Sequence, residues 1–199
     1  MLTVAVTGPT GEIGKPFIAA LERMPEIGRV IGMARRRFDP AEHHWGDKVE
    51  YRRGDILDRQ SVEELVDGAD VVVHLAFVIV AGRDESREIK RTGSRNVFEA
   101  AAKAGAERLV YTSSVAAYGF GPDLPNPITE EQPARGSSRH PYSAHKAEVE
   151  VVLKEALSGS ATDAYVFRPC IVAGPEATLL LDLIPLLALG QRIPGPLRW

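Results

Sequence analysis

Thr7-Gly8-Pro9-Thr10-Gly11-Glu12-Ile13-Gly14 is the stretch that decides the fold. It follows a short apolar run, residues 2–6, and opens an amphipathic one, residues 13–24. Glycines spaced three apart can turn a strand sharply into a helix, and without Cβ atoms the backbone can approach an anion closely. The amides at the start of the helix then face that anion. A glycine turn alone also serves any tight strand–helix connection. Its place between the first strand and the first helix is what points to a bound pyrophosphate.

Downstream the same rhythm repeats. Residues 29–33, 49–51, 70–77, 108–112 and 164–168 are further β-branched runs, several apolar at consecutive positions. Strands covered on both faces read this way. Residues 61–66, 85–104 and 143–157 carry helical patterns, and Gly28, Gly68 and Gly105 fall where helix ends favour positive φ. The alternation predicts an α/β fold: a Rossmann-type, doubly wound parallel sheet in three α/β/α layers with right-handed crossovers. Residues 119–141 interrupt it with Pro122, Pro125, Pro127, Pro133 and Pro141, which predicts a long surface loop of the kind that often carries function. One more apolar helix is predicted over residues 177–189.

Composition limits the alternatives. The chain has 199 residues, 44% apolar and 26% charged, enough to bury a core. A net charge of −3 gives no electrostatic footprint for nucleic acid or an anionic membrane. The longest apolar runs, residues 71–80 and 179–189, fall short of the roughly 20 residues that span a bilayer. The N-terminus lacks the basic segment of a signal peptide. Cys170 is the single cysteine, so no internal disulfide is expected and a cytoplasmic location is. No metal cluster is assigned.

Three further segments bear on chemistry. The second strand leads into Met33-Ala34-Arg35-Arg36-Arg37, with no acid before Asp39. Guanidinium groups there suit the 2′-phosphate of NADP, whereas an acid would suit the 2′-hydroxyl of NAD. The same run also reads as a solvated basic turn. Gly54-Asp55-Ile56 follows the third strand, where an aspartate can accept from an adenine amino group or cap a helix. His74-Leu75-Ala76 ends the fourth strand, and His74 is read as packing rather than catalysis.

Tyr142 and Lys146 lie one helical turn apart on one face. A free phenol ionises near ~10, and a neighbouring ammonium lowers that value. Such a tyrosine can exchange a proton with a substrate hydroxyl while hydride moves to or from a nicotinamide. Ser113 and Ser114 stand at the carboxyl end of the fifth strand, the edge where ligands bind in such sheets. Tyr-x-x-x-Lys alone is also an ordinary exposed helix pair. Its order after a glycine turn and a strand-end serine is what makes it specific.

Together with Tyr111-Thr112-Ser113-Ser114-Val115-Ala116-Ala117-Tyr118-Gly119 and Arg168-Pro169-Cys170-Ile171-Val172-Ala173-Gly174-Pro175, these motifs resemble the extended short-chain dehydrogenase/reductases. More narrowly the chain resembles the NAD-dependent epimerase/dehydratase group, from residue 2 to about residue 175. The resemblance implies that Gly8, Thr10, Gly11, Glu12, Ile13 and Gly14 surround the pyrophosphate, with Arg35 at the adenosine ribose and Asp55 and Ile56 at the adenine. It implies that Leu75, Ala76, Thr112 and Ser113 line the ribose and nicotinamide side, and that Arg168 and Pro169 lead toward the nicotinamide. Ser114 matches the catalytic serine or threonine and Tyr142 the acid/base. Lys146 matches the lysine that lowers the tyrosine's pKa and binds the nicotinamide ribose. One departure is Lys90, where the family often carries asparagine.

The implied function is an NAD(P)-dependent oxidoreductase or epimerase acting on a hydroxyl or carbonyl of a nucleotide sugar or related small metabolite. The alternative is a non-catalytic NAD(P)-binding regulatory or scaffold module. The arginine cluster favours NADP and family proportion favours NAD. Residues 1–175 are expected to form the dinucleotide-binding domain. Residues 176–199 are expected to begin a small substrate lobe, which the family continues for roughly a hundred residues. The leucine-rich run 179–189, and family pairing through helices like 85–104 and 143–157, imply a homodimer.

Overall fold

β-Branched and apolar runs set the strands, and glycines follow two of the helices. The computed structural model describes residues 1–76 and 83–172, and the backbone alone at residue 42 and residues 83–90. Six strands form one sheet: β1 (Leu2–Thr7), β2 (Ile27–Ala34), β3 (Val49–Arg53), β4 (Val71–His74), β5 (Arg108–Thr112) and β6 (Asp163–Phe167). All pair in parallel, in the order β3-β2-β1-β4-β5-β6. The fold is the predicted Rossmann-type α/β sheet. Chain direction across the sheet reverses between β1 and β4, and ligands of such sheets bind at the carboxyl edge of that switch point. Thr7, the last residue of β1, pairs there with His74, the last of β4.

Four helices connect the strands: α1 (Gly14–Glu22), α2 (Arg59–Val66), α3 (Arg83–Ala104) and α4 (Pro141–Ala156). α2 starts two residues before the expected position, because the Asp58 side chain accepts from the Gln60 amide at 3.2 Å and caps it. α4 likewise starts at Pro141, whose fixed φ and missing N–H suit a first helical position. Gly68 (φ +68°) follows α2 and Gly105 (φ +72°) follows α3, as expected of helix ends. Gly28 differs. It lies inside β2, where a Cβ would come within 2.8 Å of the Met1 side chain, so its small size is what the position uses.

Two apolar cores flank the sheet. On one face Ile31, Val72, Leu109 and Tyr111 pack with Leu65 of α2, Phe98 of α3 and Leu153 of α4. On the other, Val4, Val6, Val30 and Val73 pack with Ile18 and Leu21 of α1 and with Trp45. Each such side chain contributes about 1.5–3 kcal/mol on burial. β6 is one of the two edge strands of the described sheet, and its Tyr165 and Phe167 are 47% and 59% exposed.

Residues 119–140 form the predicted loop, with one isolated bridge between Ser137 and His140. A short 3₁₀ turn, Val115–Tyr118, precedes it. The Gly136 amide donates to the Ala117 carbonyl at 2.9 Å, and a Cβ on Gly119 would press within 2.6 Å of the Gly136 carbonyl oxygen. The loop is thereby tacked back beside α4. Among the described residues no helix is long and apolar enough to cross a membrane. The expected helix over 177–189 and the lobe over 176–199 lie outside the described residues.

Candidate active site

The three glycines of the first turn have three different reasons to be glycine. Gly8 has φ +73°, and a Cβ there would sit 2.8 Å from the Ala76 amide nitrogen. A Cβ on Gly14 would run into the Gly8 carbonyl oxygen and come within 2.6 Å of the Pro9 carbonyl carbon. Gly11 is exposed, and its Cβ would meet only the Gly8 oxygen at 3.5 Å, an ordinary contact. The protein itself has no steric need of glycine at Gly11, but a pyrophosphate lying against the backbone does. α1 then begins with no side-chain cap on its first amides. Glu12 and Ile13 are exposed at that start and Thr10 is half-buried. The turn fits a dinucleotide.

A buried polar strut holds the turn against β4. The Ala76 amide donates to Thr7 Oγ1 at 3.3 Å, and Thr7 Oγ1 lies 2.7 Å from His74 Nδ1. His74 Nε2 lies 2.9 Å from Ser94 Oγ on α3. The two ring nitrogens of His74 are thus each paired with a hydroxyl, one on β1 and one on α3. Burial, and then the charge of Lys146, push the His74 pKa down to about 3, so the ring stays neutral. Leu75 completes the connection by donating its amide to the Thr7 carbonyl at 3.1 Å.

At the β2–β3 edge, Asp55 Oδ1 accepts from the Leu57 amide at 3.0 Å, so this carboxylate shapes its own turn. Asn96 of α3 donates to the Ile56 carbonyl at 2.9 Å, and a Cβ on Gly93 would press within 2.6 Å of the Ile56 side chain. Arg35, Arg36 and Arg37 are exposed. Their backbone is held from β3. Arg53 donates to the Arg35 carbonyl at 3.1 Å, and the single proton of the Tyr51 hydroxyl is shared between the carbonyls of Ala34, at 3.0 Å, and Arg36. Beside them lies an open cavity of about 620 Å³ lined by Arg37, Phe38, His43, Tyr51 and Arg53 among others. Phe38 and His43 stack in it at 4.3 Å.

At the β5 edge, Ser114, Tyr142 and Lys146 come together. Ser114 caps the 3₁₀ turn by accepting from the Ala116 amide at 3.2 Å, and it also hydrogen-bonds the Tyr142 side chain. Ser143 fastens the start of α4 to the same turn by donating to the Ala116 carbonyl at 2.6 Å. Lys146 Nζ donates to the Thr112 carbonyl at 2.8 Å and lies 3.5 Å from the Tyr111 hydroxyl. The ammonium is 5.9 Å from the centre of the Tyr142 ring. Burial raises the Tyr142 pKa, and the Ser114 hydrogen bond is the influence that lowers it. The expected depression by Lys146 is therefore not what this structure shows. The net direction is upward, and Ser114 supplies the opposing pull.

The family model for the NAD dependent epimerase/dehydratase family matches residues 4–190. The chain belongs to that family. Among curated proteins it is 31% identical over 178 residues to sterol demethylase protein B of Methylococcus capsulatus, covering 87% of this chain and 52% of the relative. It is 32% identical over 193 residues to the ceramide reductase of Caulobacter vibrioides, covering 96% of this chain and 53% of that one. The chain thus spans about half the length of these relatives. In structure it is similar to the Bordetella bronchiseptica enzyme WbmH in complex with NAD+, with a TM-score of 0.74, 27% identity, and coverage of 96% of this chain and 64% of that one.

In this member of the NAD dependent epimerase/dehydratase family, the predicted site residues fall into three groups along one sheet edge. The glycine turn with Leu75 and Ala76 lies at the switch point, Arg35 with Asp55 and Ile56 on the β2–β3 side, and Thr112 to Ser114 with Tyr142 and Lys146 on the β5 side. Arg168 is turned inward: Nε and Nη2 hold the two oxygens of Glu150 at 2.9 and 2.7 Å. Pro169 accepts from the Val115 amide at 3.1 Å. Lys90 falls on α3 among the residues described by backbone alone. Sequence reasoning missed Ser94, Tyr111 and Glu150. Glu150 had a signal: a carboxylate four residues beyond Lys146 and eight beyond Tyr142, on the face of α4 that faces the sheet.

Proposed function

We propose that the protein is an NAD(P)-dependent oxidoreductase that exchanges a hydride and a proton with a hydroxyl or carbonyl group, with Tyr142 as acid/base. The observation that carries this reading is the convergence of Ser114, Tyr142 and Lys146 at the carboxyl edge, where the Lys146 ammonium is held by the Thr112 carbonyl 5.9 Å from the centre of the Tyr142 ring. Nicotinamide, when bound, supplies the hydride acceptor or donor. The chain's own residues do the rest. Gly8, Gly11 and Gly14 leave room for the diphosphate, and Ser114 orients the substrate oxygen toward the phenol. Tyr142 holds or releases the proton, and Ser114 supplies the pull toward its ionised form. The NAD+ complex of the similar WbmH enzyme supports NAD as a ligand, and the exposed Arg35 and Arg36, next to a cavity lined by Arg37 and Arg53, support NADP as well.

The substrate reading has two branches. Family resemblance supports a nucleotide sugar. The names of two relatives above 30% identity, a sterol demethylase protein and a ceramide reductase, support an apolar alcohol or ketone. A panel of UDP- and dTDP-sugars against 3-hydroxysteroids and long-chain amino alcohols, followed as NAD(P)H absorbance, separates them. Tyr142→Phe is expected to lose turnover at least a hundredfold while NAD+ affinity changes less than threefold, within the range of positioned acid–base catalysis. Full activity in that variant overturns the assignment. Binding of NAD+ with no turnover of any panel member favours the regulatory alternative.

A further inference from the structure

Glu150 is a carboxylate buried to 4% exposure in the middle of α4. Its Oε1 accepts from the Ser113 hydroxyl at 2.5 Å and from Arg168 Nε at 2.9 Å, and its Oε2 accepts from Arg168 Nη2 at 2.7 Å. The Arg168 guanidinium in turn lies 4.6 Å from the centre of the Tyr118 ring. A buried ion pair is weak evidence of a stabilising role, because well-packed apolar residues often do as well. What it does provide is a fixed geometry with two directional bonds.

That geometry closes a ring. Tyr142 bonds Ser114, and Ser114 is joined to Ser113 along the chain. Ser113 bonds Glu150, and Glu150 returns to Tyr142 along two turns of α4. Lys146 sits midway on the same helix face, bonded across the ring to Thr112. The strand side is braced as well: the Ser113 amide donates to the Phe167 carbonyl at 2.7 Å, and the Val115 amide to Pro169 at 3.1 Å. Arg168 lies between those two acceptors, so the ion pair, the end of β5 and the chain leaving β6 form one unit.

We propose that Glu150, with Ser113 and Arg168, is a positioning residue that sets the depth and rotation of α4 against β5 and so keeps the Tyr142 hydroxyl on Ser114. The inference rests on the reading of Tyr142 as the acid/base, but it is a statement about geometry and can be tested without turnover. The hydrogen bond from Ser114 favours the ionised phenol. If α4 slips when the ring is opened, that bond is lost and the Tyr142 midpoint rises. If Glu150 is only a nearby negative charge, neutralising it eases ionisation and the midpoint falls.

The test labels the full chain with 3-fluorotyrosine, which titrates at lower pH than tyrosine, and follows the five tyrosine resonances by ¹⁹F NMR. Tyr142 is identified by the resonance missing in Tyr142→Phe. Glu150→Gln and Ser113→Ala are each expected to raise the Tyr142 midpoint by about half a pH unit or more, a threefold or larger drop in the ionisation constant. Ser113→Ala removes one hydroxyl and keeps the ion pair, so it tests the ring even if Glu150→Gln does not fold. The double variant is expected to shift no further than the larger single one, because either change opens the same ring. An unmoved midpoint in Ser113→Ala, or a lowered one in Glu150→Gln, overturns the proposal. Full turnover in Tyr142→Phe would instead overturn the acid/base reading and leave these midpoints to decide the positioning role by themselves.

Discussion

The Thr7 hydroxyl and the His74 ring meet at 2.7 Å, at the paired ends of β1 and β4. This bond joins the strand that enters the glycine turn to the strand that ends beside it. Buried as it is, the ring must stay neutral.

The first prediction follows from that requirement. His74 is fully buried, with its pKa pushed down to about 3 from an unfolded value of 6.5. Below pH 6.5 the unfolded chain binds a proton that the folded chain refuses. Stability from this site is therefore complete above pH 6.5 and is lost as pH falls toward 3, by at most about 1.4 kcal/mol per pH unit. Urea unfolding of the wild type and of His74→Gln, at pH 7 and at pH 4.5, is expected to show the gap between them shrinking in acid. A gap of constant size would mean that the ring titrates normally.

Gly11→Ala and Gly14→Ala are expected to separate binding from folding. At Gly14 the new methyl strikes backbone atoms on both sides, at a cost of about 1–3 kcal/mol of overpacking. At Gly11 it finds ordinary contact distance, so the melting temperature stays nearly unchanged. NAD+ affinity in Gly11→Ala should fall tenfold or more, because the methyl occupies the space of the diphosphate. Calorimetry with NAD+ beside thermal melts checks both halves. Equal NAD+ affinity in Gly11→Ala and wild type would remove the diphosphate from this turn.

Ser114→Ala deletes the hydrogen bond that pulls the Tyr142 pKa down, leaving burial unopposed. For alcohol oxidation the phenol must be ionised, so the acidic limb of the pH–rate profile moves to higher pH in this variant. Turnover at neutral pH is expected to fall by about ten- to a hundredfold, the scale of a lost oriented hydrogen bond in a reacting site. The check is the profile of an alcohol substrate that the panel identifies. A limb that stays in place would assign Ser114 to the 3₁₀ turn alone.

Replacing Arg35 and Arg36 together with alanine is expected to weaken NADP+ by tenfold or more and to change NAD+ less than threefold. A guanidinium gains far more from a 2′-phosphate than from a hydroxyl. Fluorescence titration with both dinucleotides reads the ratio directly. A parallel loss for both would place these arginines outside the ribose site.

The fold was legible because its signals are local. The glycine turn, the apolar strands and the glycines after α2 and α3 each act within a few residues of themselves. The Tyr142, Lys146 and Ser114 grouping was legible for a similar reason: helix spacing fixes two members, and the strand end fixes the third. What escaped were bonds between residues far apart in the chain. Ser94 reaches His74 from α3, and Arg168 reaches Glu150 from beyond β6. No periodicity encodes either distance. Gly28 misled for a related reason, since its neighbour Met1 is met only once the strands are stacked. The direction of the Tyr142 pKa also escaped, because burial of a phenol depends on everything packed around it.

α3 grips two places at once. Ser94 meets His74 at the switch point, and Asn96, two residues on, holds the carbonyl of Ile56 in the turn after β3. A helix is stiff over so short a span, so these grips cannot drift independently. The Ile56 turn and the imidazole therefore share one rigid anchor. About half a turn of α3 thus serves as the common support of the imidazole and of the turn after β3.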